Sequence, residues 1–182
     1  MLVLIIGGSG SGKSAYAEDY ITKLSKDCRK YYIATMQVYD EEGQEKVCKH
    51  QKMREGKGFI TIEQSTDIHQ AADKMEKNTT VENIVLLECI SNLVANEMFC
   101  EGQIRNCTLV KKSIIGGIEG LLKKVKDLII VTNNVFEDGI TYDETTTNYI
   151  RVMGEINQEL AEIADKVIEV VVGIPIIVKE GR

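Results

Sequence analysis

Met1 to Ser14 reads MLVLIIGGSGSGKS, and this stretch decides the fold. Leu2 to Ile6 is a short, branched, continuously apolar run, the pattern of a strand buried on both faces of a parallel sheet. It runs into GxxxxGK followed by Ser or Thr, with Gly7, Gly12, Lys13 and Ser14 at the fixed positions. Gly7, Gly8, Gly10 and Gly12, interleaved with Ser9 and Ser11, make a loop that can turn tightly. Its successive backbone N–H groups can then curl round a polyphosphate, while the N-terminus of the following helix adds partial positive charge. Lys13 is placed to meet the β- and γ-phosphates, and the Ser14 hydroxyl to ligate Mg²⁺. The stretch after it, AYAEDYITKL, is helical in pattern, which gives the strand–loop–helix context that a phosphate-binding loop needs.

Outward from the loop, strands and helices alternate. Ser14 to Leu24 carries Ala17, Tyr20, Ile21 and Leu24 at helical spacing, and Arg29 to Thr35 (RKYYIAT) is aromatic and β-branched, a strand. From Asp40 the chain is acidic first and basic later, a charge order that complements a helix dipole and predicts about four turns. Phe59 to Ile62 is a strand candidate, and Asp67 to Lys77 a short amphipathic helix. Asn83 to Glu88 (NIVLLE) is a second buried-strand run, with a helix from about Asn92. Leu109 to Lys124 reads as helical despite Gly116 and Gly117, Asp127 to Thr132 (DLIIVT) as a strand, and the loop from Asn133 to Thr147 leads into a helix through about Ala164. Lys166 to Val172 and Ile174 to Lys179 are terminal strands flanking Gly173. This alternation predicts an α/β fold of the P-loop NTPase type. Its mostly parallel sheet has helices on both faces and a ligand at the carboxyl ends of the strands.

With 182 residues, 43% hydrophobic and 27% charged, the chain has the composition of one globular domain over 1–182. The net charge of -6, without a basic stripe, argues against a nucleic-acid partner. Five widely spaced cysteines without a CxxC pair point to reduced thiols and a cytoplasmic protein rather than a disulfide framework or structural zinc site. No apolar run approaches the ~18 residues of a membrane span.

Two further groups bear on chemistry. Glu88 ends the apolar run Ile84 to Leu87, where a carboxylate can hold Mg²⁺ opposite the phosphate loop; it could equally mark where a buried strand meets solvent. His50 lies one turn from Lys46 and one turn from Arg54 on the basic half of its helix, all three on one face. A neutral imidazole is a competent nucleophile toward phosphorus, and flanking cations offset triphosphate charge. The alternative is a solvated charged face on which His50 does nothing.

Several motifs occur in a specific order. They are GGSGSGKS, YIAT at Tyr32 to Thr35 with DEE at Asp40 to Glu42, KVCKHQKMR from Lys46 to Arg54, and TIE at Thr61 to Glu63. LLECISNLVAN from Leu86 to Asn96, VTN at Val131 to Asn133, GEINQELAEIADKV from Gly154 to Val167, and GIPIIVK follow. In this order, over nearly the whole chain, they resemble the bifunctional adenosylcobinamide kinase/adenosylcobinamide-phosphate guanylyltransferase family of cobalamin biosynthesis. The resemblance implies a RecA-like sheet, a homotrimer, GTP (and ATP) with Mg²⁺, and a corrinoid acceptor. It implies that His50 attacks the α-phosphorus of GTP and holds GMP covalently until adenosylcobinamide phosphate accepts it, and that the same enzyme phosphorylates the adenosylcobinamide hydroxyl. The nucleotide contacts it implies are Gly7, Gly8, Ser9, Gly10, Ser11, Gly12, Lys13, Ser14, Ala34, Thr35, Met36, Gln51, Lys52, Met53, Arg54, Glu63 and Glu88, with Ser14 and Glu88 at the metal and His50 and Lys13 catalytic. The chain departs from the family pattern after VTN, where Asn134, Phe136, Asp138 and Tyr142 replace a glycine-bearing NEVGxGIVP, and at Arg151, displaced by one position. These changes are expected on the corrinoid-facing side. Two other readings remain: a P-loop small-molecule kinase whose basic helix is a lid, and a GTP-binding protein that transfers nothing.

Overall fold

The structure is a computed structural model that describes residues 1–24, 27–38, 41–76, 80–134 and 139–181; the side chains of Glu42, Lys46, Lys49, Met53 and Glu101 also lie outside that description. The chain order is β1 (Leu2–Gly7), α1 (Lys13–Leu24), β2 (Arg29–Ala34), α2 (Glu41–Arg54), β3 (Phe59–Glu63), a 3-10 segment (Ile68–Lys74), β4 (Asn83–Glu88) and α3 (Ile90–Met98). After these come α4 (Cys107–Leu122), β5 (Asp127–Asn133), α5 (Glu144–Ile163), β6 (Lys166–Val171) and β7 (Ile174–Glu180). The strands form one sheet in the order β3-β2-β4-β5-β1-β6-β7. Every neighbouring pair is parallel except β6 with β7. The turn between those two, Val172 and Gly173, is too short for the crossover that a parallel pair requires.

The apolar runs are continuous because the sheet is covered on both faces. Leu2 and Leu4 of β1, Val85 and Leu87 of β4, and Leu128 and Ile130 of β5 join one core with residues of α3, α4 and α5. The alternate residues, Val3 and Ile5, Ile84 and Leu86, Ile129 and Val131, join a second core with Ala17 and Ile21 of α1. Each such side chain contributes about 1.5–3 kcal/mol on leaving water. Strand alternation therefore fixes where Glu88 goes: two residues beyond Leu86, it belongs to the α1 face.

Two local readings change. The segment expected as a helix over Asp67 to Lys77 is a short 3-10 segment, Ile68–Lys74, entered through Asp67 at φ 48 and ψ 53; Lys77 lies outside the described residues. Its Ile68, Ala71 and Ala72 are buried. Gly117 of α4 makes room for it, since a Cβ there would come within 2.5 Å of Ile68 Cγ2 and 3.3 Å of the His69 backbone nitrogen. This close approach explains a glycine inside a helix, and it leaves the exposed His69 as part of a packing element. The second change is α3, which begins at Ile90 rather than near Asn92. α4 and α5 are capped by Asn106, which accepts from the Thr108 and Leu109 amides, and by Asp143, which accepts from the Thr146 amide. None of the five cysteines is in a disulfide. Among the described residues no helix is long and apolar enough to cross a membrane.

Candidate active site

The phosphate loop leaves β1 at Gly7 and enters α1 at Lys13. Its path is fixed by short contacts: the Ser11 amide donates to the Gly8 carbonyl at 3.2 Å, and the Gly173 amide of the β6–β7 turn donates to the Ser11 carbonyl at 2.8 Å. Gly10 and Gly12 have φ of +72° and +88°, the left-handed region where a side chain is strained. Lys13 is only 9% exposed, and its ammonium donates to the Gly8 carbonyl at 3.0 Å. Burial pushes its pKa down, opposed by the nearby Cys89 and Glu88.

Glu88 is the hinge of the site. One carboxylate oxygen, Oε1, accepts a short hydrogen bond from the Ser14 hydroxyl; the other, Oε2, accepts from Tyr32 Oη at 3.1 Å. Oε1 also lies 3.9 Å from His50 Nδ1. Tyr32 is almost fully buried, and its phenol pKa is pushed up by burial and then by the Glu88 charge, so it remains a donor. Arg54 stacks on the Tyr32 ring with Cζ 3.6 Å from the centroid. One carboxylate thus ties the loop, β2 and α2 together.

A cavity of about 540 Å³ opens beside Glu88, between α2 and the carboxyl ends of β2, β3 and β4. His50, Ala34, Met36, Gln51, Arg54, Glu63 and Glu88 line it, which brings together seven positions singled out in the sequence. Thr35 backs it instead: fully buried, its hydroxyl donates to the Cys89 carbonyl and accepts from the Cys89 amide. Lys52 faces a separate shallow depression with Cys48, Glu55 and Gly58. Met53 has a side chain outside the described residues, as does Lys46 on the His50 face. Phe136 and Asp138 of the divergent loop also lie outside them.

Sequence reasoning missed Tyr32, Gln64, Asn92 and Glu18. The first three line the cavity. Glu18 stands one helical turn after Ser14 on α1 and is completely buried. Its Oε2 takes the Lys57 ammonium at 2.9 Å, and its pKa is raised chiefly by burial. A carboxylate oxygen of Glu18, a ring nitrogen of His50 and a carboxylate oxygen of Glu88 lie within 4.8 Å of one another. The available signal was Glu18 flanked by Ala17 and Ile21, the two apolar residues that α1 buries. For Mg²⁺, the hard oxygen donors Ser14 Oγ and Glu88 Oε1, already in contact beside the phosphate loop, are the fitting pair.

Residues 3–178 match the family described as CobU, cobinamide kinase / cobinamide phosphate guanyltransferase. The chain belongs to the CobU family. CobU relatives include the bifunctional adenosylcobalamin biosynthesis proteins CobU of Escherichia coli strain K12 (27% identical, 98% of this chain and 100% of the relative) and of Salmonella typhimurium strain LT2 (28%, with the same coverage). The CobP protein of Pseudomonas aeruginosa is 26% identical over 97% of this chain and 96% of its own length. The CobU family is a family of kinases and nucleotidyltransferases acting in cobalamin biosynthesis. Among solved structures, a prototypical ATPase from the type III secretion system of pathogenic bacteria is similar with a TM-score of 0.53 at 14% identity, covering 92% of this chain and 51% of that one. The KaiC-like protein PH0186 of Pyrococcus horikoshii OT3 is similar at 0.51 and 13%, covering 92% and 69%. At such identities they show the fold alone: a P-loop, RecA-like α/β sheet.

Proposed function

We propose that this chain is an adenosylcobinamide kinase and adenosylcobinamide-phosphate guanylyltransferase that works through a guanylyl-histidine at His50. The observation that carries this reading is the shared carboxylate. Glu88 touches the Ser14 hydroxyl of the phosphate loop and stands 3.9 Å from His50 Nδ1, so phosphate loop and imidazole meet at one group. In the first half-reaction an imidazole nitrogen attacks the α-phosphorus of GTP; the N–P bond forms, the bond to the β-phosphate oxygen breaks and pyrophosphate leaves. In the second, a phosphate oxygen of the acceptor attacks that phosphorus, the N–P bond breaks and adenosylcobinamide-GDP is released. Lys13 and the loop amides hold the phosphates and offset their charge. Mg²⁺ held by Ser14 and Glu88 would neutralise charge on the leaving phosphates.

In the kinase step the loop presents the γ-phosphoryl group of GTP or ATP to the adenosylcobinamide hydroxyl. The remaining contacts fall to Ala34, Met36, Gln51, Arg54 and Glu63 along the cavity wall. The enzyme acts as one domain in the cytoplasm, assembled as a homotrimer. The assembly is supported by β7, whose Ile174, Ile176, Ile177 and Val178 are 47–62% exposed on an edge strand. Intact-mass measurement after incubation with GTP and Mg²⁺ tests the proposal. A GMP adduct on the wild type that is absent from His50→Ala is expected; no adduct, or one that survives the substitution, removes His50 from the mechanism.

A further inference from the structure

Glu18 is a second buried carboxylate at the histidine, and the phosphate chemistry above leaves it unused. Two buried polar atoms of this cluster are without a hydrogen-bond partner, Glu18 Oε1 and His50 Nδ1. Glu88 is committed on both oxygens, to Ser14 and to Tyr32. Glu18 is committed on one only, since Lys57 donates to Oε2 at 2.9 Å and holds Asp19 Oδ1 at 3.1 Å with the same ammonium. Glu88 Oε1 stands 3.9 Å from Nδ1, but the carboxylate oxygen of this cluster that has no partner of its own is Glu18 Oε1. The donor set lies within 4.8 Å, and a shift of about 2 Å brings such a pair to hydrogen-bond length.

We propose that Glu18 is a positioning residue for His50, accepting the Nδ1–H hydrogen bond so that the ring is held as the tautomer with its lone pair on Nε2. The inference rests on the guanylyl-transfer reading and deepens it by naming what sets the nucleophilic nitrogen. The second nitrogen of an imidazole decides the tautomer of the first through the hydrogen bond it makes. Here the buried Nδ1 faces carboxylates and Nε2 remains for phosphorus. When Nε2 bonds to phosphorus and pyrophosphate departs, the ring becomes an imidazolium that keeps its Nδ1 proton against the Glu18 carboxylate. When the acceptor oxygen takes the phosphorus, the N–P electron pair returns to Nε2 and the starting tautomer is restored. No proton has to enter or leave the pocket.

Lys57 sharpens the test. In Glu18→Gln the amide oxygen must stay on the Lys57 ammonium, which turns the NH₂ group toward Nδ1. Nδ1 must then accept, the proton moves to Nε2, and the nucleophilic lone pair is lost. Imidazole ¹⁵N NMR of the unliganded protein reads the tautomer directly; His69→Asn assigns the signals. The expected result is Nδ1–H in the wild type and Nε2–H in Glu18→Gln. The rate of GMP adduct formation should fall by roughly 10⁴-fold, as expected of a histidine held in the wrong tautomer, with GTP affinity within about 3-fold because no phosphate contact is removed. Adding Lys57→Met frees the amide to rotate, and both the Nδ1–H signal and most of the rate should return. Persistence of Nδ1–H in Glu18→Gln, or a double variant as slow as the single one, overturns the proposal. Failure of the wild type to form an adduct would instead refute guanylyl transfer, and the tautomer measurement would still decide the role of Glu18.

Discussion

Replacing Gly7 by alanine adds one methyl group at the junction of β1 and the phosphate loop. A Cβ there would lie 2.6 Å from Ser11 Oγ and 2.6 Å from the Val170 carbonyl oxygen of β6. Ordinary contact begins near 3.4 Å, so about 0.8 Å must be found on each side. Ser11 can rotate its hydroxyl away. Val170 cannot, because β6 is paired to β1 on one side and β7 on the other. The methyl must therefore push the loop, at an overpacking cost of about 1–3 kcal/mol, which in a chain this long lowers the melting midpoint by roughly 2–12 °C. Gly8→Ala is the control, since its Cβ would meet only Asn134 Oδ1 at an ordinary 3.5 Å. Both positions have backbone angles open to any residue, so the variants differ in space alone. Urea titration should show Gly7→Ala destabilised and Gly8→Ala within about 0.5 kcal/mol of wild type, and GTP titration should show the larger affinity loss in Gly7→Ala. Equal stabilities for the two variants would refute the steric account of the loop.

Tyr32→Phe removes the donor 3.1 Å from Glu88 Oε2 and leaves a buried carboxylate oxygen unpaired. Chemical denaturation should register a loss of about 1.5–3 kcal/mol, and a stability equal to wild type would mean that the hydroxyl carries no weight at Glu88. Lys13→Met should abolish triphosphate binding by calorimetry while leaving the empty protein at least as stable as wild type, because its stem is kept and a buried charge is removed. The sign follows from burial, which sets the folded pKa of Lys13 below its ordinary 10.5. At neutral pH the charged form is penalised only in the folded state, and that penalty is relieved as pH rises through the lowered folded value toward 10.5. Wild type should thus gain stability relative to Lys13→Met across that alkaline window, and parallel stability curves for the two proteins would show that the ammonium is not penalised.

The sheet was readable because continuous apolar runs have one economical use. Leu2 to Ile6, Ile84 to Leu87 and Leu128 to Val131 contain no polar position that a half-exposed strand would need, and both faces are indeed covered. The antiparallel end of the sheet was also available, in the two residues left between Val171 and Ile174. The 3-10 segment was not, since the space it packs into is left by Gly117, on a helix that lies far along the chain. The site divides in the same way. The phosphate loop is local in sequence and could be read in place. Glu18 could not, since a carboxylate in the second turn of a helix normally points to water, and only the arrival of α2 and β4 over that turn encloses it.

That enclosure explains why the polar faults of the molecule gather at one end. Among the described residues, six buried side chains carry a nitrogen or oxygen without a hydrogen-bond partner, and four of them, Ser11, Glu18, His50 and Gln64, belong to the phosphate loop, the cavity wall or the carboxylate behind it. An unpaired buried polar atom costs about 1–3 kcal/mol, so four such atoms in an ordinary core would be a serious defect. Beside a nucleotide, Ser11 and Gln64 are groups held ready for one, while Glu18 and His50 are held ready for each other. Ligand should recover part of that cost, so the stabilisation of this end by GTP ought to exceed that of the far sheet edge. Amide exchange offers the comparison: protection gained with GTP at α1 and β4 but not at β7 is the pattern expected of a site built around missing partners, and equal protection at all three would refute it.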